Sequence, residues 1–70
     1  MIKCIYGEPT HDAEETMFVI LNSTEAPTGK TTGEGIDAMP DRVAIADGSY
    51  CEDLANKKTY RFLGGTWYER

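Results

Sequence analysis

The sequence predicts a small, mainly antiparallel all-β domain: a β-meander with sandwich-like packing, one long polar loop and room for one short helical turn. Three observations predict it. Apolar residues fall in short runs rich in β-branched and aromatic types, as in Met1–Tyr6, Met17–Leu21 and Thr59–Leu63, which is how strands read. The last thirty residues are punctuated by Asp47-Gly48 and Gly64-Gly65, where glycine accepts the positive φ of tight turns. Tyr60 and Phe62 repeat with period two and Trp67 follows one turn later, a pattern that forms cross-strand aromatic pairs.

Taken in order, Met1–Tyr6 is a short strand that the breaker Gly7-Glu8-Pro9 should end. Thr10–Thr16 is polar and acidic; Thr10 or Asp12 suits the cap of one helical turn, and a charged loop is equally compatible. Met17–Leu21 is a continuous apolar run of five, which predicts a strand buried on both faces, covered either by the chain folding back or by another subunit. Between Asn22 and Asp41, thirteen of twenty residues are Asn, Ser, Thr, Gly, Pro or Asp, so a long loop or arm is expected, with Ile36 and Met39 as its anchors. Arg42–Ala46 reads as a strand closed by Asp47-Gly48, followed by strands at Ser49–Leu54, Thr59–Leu63 and Thr66–Glu69. The whole is one domain, residues 1–70, with the loop at 22–41 and the meander at 42–69. Its expected core is Met17, Val19, Leu21, Tyr60, Phe62 and Trp67.

Twelve acidic against seven basic residues give a net charge of -5, the wrong sign for tracking phosphates or anionic lipid. Neither a nucleic-acid nor a membrane partner is expected. An apolar run of five is far short of the roughly 20 residues that span a bilayer, and Met1–Pro9 lacks the apolar region of a signal peptide, so synthesis in the cytoplasm is expected. Cys4 and Cys51 are too far apart for Cys-x-x-Cys chemistry and read as two free, buried thiols, which could pair only if the fold brought their strands together. Seventy residues exclude a two-lobed enzyme, a Rossmann unit and a TIM barrel. Apolar burial on the order of 100 kcal/mol stands against roughly 105 kcal/mol of chain ordering. The near-zero balance predicts that partner chains help to complete the core.

Motifs add little chemistry. Thr28-Gly29-Lys30-Thr31-Thr32 resembles the end of a phosphate-binding loop, but Thr24 stands where the first glycine belongs and Gly33, Gly35 and Pro40 oppose the helix that must follow. His11 with Asp12, Glu14 and Glu15 has metal-ligand residue types without a second His or a nearby thiolate. It reads as a solvated acidic segment. Asn22-Ser23-Thr24 matches a glycosylation pattern and reads as a turn or cap. Glu14-Glu15 and Glu52-Asp53 are adjacent, so on a strand each pair would point to opposite faces, unlike a glycosidase pair. No catalytic, metal or cofactor-binding set emerges, and an enzyme is not expected. Tyr50, Tyr60, Trp67 and Tyr68 with Arg61 could line an aromatic platform for sugar rings or a protein partner, or simply fill the core. Tyr50, Arg61 and Tyr68, with the loop residues Ile36 and Met39, are the candidate interaction residues.

The C-terminal segment carries a resemblance. Gly48-Ser49, Asp53-Leu54, Lys58, Tyr60, Phe62, Gly64, Trp67 and Tyr68-Glu69 resemble a pattern in small virion-associated proteins of tailed bacteriophages: a Gly-Ser strand, a Tyr-x-Phe strand, a Gly turn and a Trp strand. It covers Gly48 to Glu69, about a third of the chain. Leu54-Ala55-Asn56-Lys57 replaces the Asp-Thr-Gly type of turn, and the loop before the segment is longer than in that family. The resemblance implies a non-enzymatic head, tail or fibre-associated component that self-associates or docks on other virion proteins, made in the host cytoplasm and carried into the virion. A small module binding cell-surface glycan is the alternative, and an acidic inhibitor of a host enzyme a more distant one.

Overall fold

A computed structural model describes residues 1–8 and 16–70. The cap expected at Thr10 or Asp12, and the group of His11, Asp12, Glu14 and Glu15, lie outside the described residues. Six strands form one mixed sheet: β1 (Ile2–Glu8), β2 (Phe18–Ser23), β3 (Ile36–Asp37), β4 (Tyr50–Asp53), β5 (Lys58–Leu63) and β6 (Thr66–Glu69), in the order β3-β1-β2-β4-β5-β6. The fold is all-β and mostly antiparallel. β1/β2, β4/β5 and β5/β6 pair antiparallel, whereas β1/β3 and β2/β4 pair parallel. A parallel pair needs a long crossover, and residues 24–49 supply it between β2 and β4. No helix of the described residues is long and apolar enough to cross a membrane.

That crossover corrects the reading of residues 22–41 as an unstructured loop or arm. It folds back over one face of the sheet, burying Pro27, Ile36, Met39, Val43 and Ile45, and places β3 beside β1. Hydrogen bonds hold the layer together: Gly33 N–H to the Val43 carbonyl at 3.0 Å, Ile45 N–H to Thr31 at 3.0 Å and Ile36 N–H to Gly33 at 2.9 Å. Gly33 is required there, since a Cβ would collide with the Pro40 carbonyl. The chain therefore supplies its own second layer. Its accessible surface of 4355 Å² is close to the roughly 4,400 Å² that scaling gives for a folded chain of this mass.

Two strand expectations change for the same reason. Met17–Leu21 is not buried on both faces: Val19, Leu21 and Ser23 are buried under the crossover, while Phe18, Ile20 and Asn22 alternate with them, half-buried, on the other side. Arg42–Ala46 is not a strand of the sheet. It is extended, with Val43 and Ile45 turned inward, but it lies in the covering layer, where Ala44 bridges Thr32 and Ile45 bridges Met17. Asp47-Gly48 accordingly closes no hairpin; the turn, with Gly48 at φ 87° and Ser49 N–H bonded to the Ala46 carbonyl at 3.2 Å, feeds the chain from the layer into β4.

β1 runs through the expected breaker at Gly7 because of a bulge. Cys4 faces Leu21 and Tyr6 faces Ile20, leaving Ile5 as the extra residue. The shift turns Gly7 inward opposite Val19, where a Cβ would collide with the Met17 methyl. The Cys4 thiol donates to the Tyr6 carbonyl at 3.2 Å.

The meander comprises three strands, β4, β5 and β6. Gly64 and Gly65 both have positive φ, 58° and 85°, which makes a type I′ turn whose twist suits a two-residue hairpin. Asp53, buried at the end of β4, accepts from Asn56 N–H at 3.2 Å and from its side-chain amide at 2.8 Å, organising the turn to β5. Phe62 and Trp67 face each other with ring centroids 5.0 Å apart. All six expected core residues are buried. Cys4, Leu21 and Cys51 form one inward row; the free thiols flank Leu21 with backbones two strands apart, about 10 Å, too far for a disulfide.

Candidate functional site

Among the described residues, the face of the sheet opposite the covering layer carries the exposed aromatic side chains, Tyr6 and Tyr68. Successive strand pairings align Tyr6 with Ile20, Ile20 with Tyr50, Tyr50 with Arg61 and Arg61 with Tyr68. The result is one straight row crossing five strands. Tyr6 and Tyr68 are 47% and 54% exposed, Arg61 is exposed, and Ile20 and Tyr50 are half-buried between their neighbours. Phe18 meets Tyr6 edge-on at 6.3 Å between centroids. The Arg61 guanidinium lies over the Tyr50 ring, 5.8 Å from its centroid, a cation–π contact that holds both side chains in place.

A second row runs alongside: Lys3, Asn22, Glu52 and Thr59, extended by Arg70, whose N–H bonds to the Thr59 carbonyl at 2.8 Å. The two rows together hold three cations, Lys3, Arg61 and Arg70, and one carboxylate, Glu52. The covering layer has the opposite balance, with Glu25, Glu34, Asp37, Asp41 and Asp47 against Lys30 and Arg42. In a chain of net charge -5, these two rows thus carry an excess of positive charge and the covering layer an excess of negative charge.

The sequence-level candidates separate cleanly. Tyr50, Arg61 and Tyr68 share the outer row, joined by Tyr6 and Ile20, which sequence reasoning missed. Tyr60 and Trp67 belong to the covered face and leave the proposed platform. Ile36 and Met39 are corrected as partner contacts: at 4% and 7% exposure they are consumed by the chain's own core. A scan of protein-family models finds no match, and neither curated proteins nor solved structures give one. The chemistry of the site is therefore read from its own residues.

The Gly29–Glu34 segment, which looked like part of a phosphate loop, lines an open cavity of about 250 Å³ with Lys30, Thr31 and Thr32. Lys30 Nζ there donates to the Glu34 carbonyl at 3.3 Å, and no helix follows to direct amides at a phosphate. Asn22 and Ser23 end β2 instead of forming a turn, and the chain bends just after them: Ser23 Oγ accepts from Glu25 N–H at 2.9 Å, and Thr24 Oγ1 accepts from the N-terminal amine at 2.7 Å. Glu52 is exposed and Asp53 buried on the opposite face. Burial pushes the Cys51 thiol up to about 11, aided by the Asp53 and Glu52 charges, and raises Cys4 as well. Such thiols are poor nucleophiles.

Proposed function

We propose that this chain is a non-enzymatic recognition component of the tailed-phage virion type, docking through the uncovered face of its sheet. The observation that carries the docking role is the continuous row Tyr6–Ile20–Tyr50–Arg61–Tyr68, built in register across five strands. Tyrosine and arginine are among the side chains that most often anchor interfaces. The virion assignment draws on the resemblance of Gly48–Glu69 to small virion-associated proteins.

Quantitative mass spectrometry of purified particles from a producing culture tests this reading. The chain is expected in particles in several copies, retained through density-gradient purification. Its abundance in the lysate together with its absence from particles would overturn the virion role.

A further inference from the structure

The row that docks in the reading above has a size, a charge and a repeat, and these restrict what occupies it. Five strands about 4.8 Å apart and four to seven residues long offer on the order of 400 Å². A stable protein partner buries about 800 Å² per side, twice that area. A second copy presenting the same face would also set Lys3, Arg61 and Arg70 against themselves, while a copy presenting its covering layer would bring a mostly polar surface whose exposed apolar side chains are the small Ala26, Ala38 and Pro40. A narrow, extended ligand lying along the row needs neither a large area nor a matching apolar face.

The repeat points to the ligand's chemistry. Tyr6, Tyr50 and Tyr68 occupy every second strand of the row, so their backbones are spaced by about 10 Å. That spacing is commensurate with the two-sugar repeat of an extended β-1,4-linked chain, in which alternate rings present the same face. Aromatic faces stack on the apolar face of a sugar ring. Arg61, in line between Tyr50 and Tyr68, and Lys3 and Arg70 in the adjoining row supply positive charge beside the rings, and guanidinium binds carboxylate in a fixed fork.

We infer that the outer face binds an extended, carboxylate-bearing β-1,4-linked polysaccharide, with the exposed rings of Tyr6 and Tyr68 stacking on sugars along the row and Arg61, seated over the Tyr50 ring, holding a carboxylate between them. The inference rests on the docking role of this face but not on the virion assignment, which the particle measurement tests separately.

Calorimetry and heteronuclear NMR on the full chain, with the β-1,4-linked hexamer of mannuronic acid as probe, test it. The hexamer should bind, shift the ring resonances of Tyr6, Tyr50 and Tyr68, and bind more tightly than the trimer. Tyr68→Ala, at an exposed position of an edge strand, should weaken binding roughly tenfold with unchanged circular dichroism. Arg61→Gln should abolish the preference for the acidic hexamer over neutral cellohexaose. Failure of both glycans to bind would overturn the inference. So would equal binding of poly-glutamate with the same shifts, or a dimer in sedimentation whose formation shields these rings.

Discussion

The indole N–H of Trp67 donates a 2.8 Å hydrogen bond to the backbone carbonyl of Lys30, 37 residues away in the chain. It ties the last strand to the covering layer at the point where the layer has few apolar anchors. The same indole packs on Phe62, so one side chain joins the aromatic end of the sheet to its cover. Trp67→Phe keeps most of the ring and removes the donor. Leaving the Lys30 carbonyl unpaired should cost about 1–3 kcal/mol, a large share of the roughly 4–10 kcal/mol expected for a domain of this size. Urea unfolding gives the total, and hydrogen exchange should show faster exchange at Lys30, Gly33 and Ile36 than at β5; uniform exchange changes would contradict a local tie.

The Cys51 thiol, raised to about 11 by burial and then by the neighbouring carboxylates, ionises near 9 once unfolded. The unfolded chain therefore loses its proton first, and stability should decline as pH rises from about 9 to 11, being fully present below that window. Cys51→Ala should flatten this alkaline loss. At pH 8 neither Cys4 nor Cys51 should react with a thiol reagent until denaturant is added; prompt reaction of the folded chain would contradict the buried row.

Asp53 titrates below its ordinary 3.8, held down first by the Asn56 side-chain amide and further by the backbone amides of Asn56 and Ala55. Its contribution is present above the unfolded value and is lost as pH falls through the folded one. An NMR titration should place the Asp53 midpoint below 3.8, and Asn56→Ala should move it upward while weakening the β4–β5 turn. An unmoved midpoint would remove Asn56 as the leading cause.

Lys57 closes that turn at φ 57°, in the left-handed region where a side chain costs about 1–2 kcal/mol. Lys57→Gly should relieve that cost, offset in part by the entropy of glycine in the unfolded chain, for a net gain of up to about 1 kcal/mol. Lys57→Val should destabilise, and the midpoints of thermal unfolding rank the three chains.

The meander was legible because its determinants are local. Gly64-Gly65 sets its own turn, and the period of Tyr60 and Phe62 declares which side of β5 is inward. Residues 24–49 were opaque because their structure is set by what they cover. Few apolar side chains, Pro27, Ile36, Met39, Val43 and Ile45, suffice when each lands on the sheet, and composition does not reveal where they land. That hidden cover also concealed half of the candidate site. Once one face of β2 is roofed, Phe18 and Ile20 in the apolar run are released to the other face, and Tyr6 joins them only through the bulge at Ile5.

The bulge gives β1 an unusual grammar. Removing one residue from the middle of a strand ordinarily exchanges inside for outside along everything that follows. Here Ile5 is the supernumerary letter: without it, Cys4 would still face Leu21, Tyr6 would still face Ile20 and Gly7 would still lie beneath Met17. A chain lacking Ile5 should fold, whereas one lacking Ile20 should not, and circular dichroism of the two deletions distinguishes them. β1 thus tolerates an editing error at a position where its partner strand has none to spare.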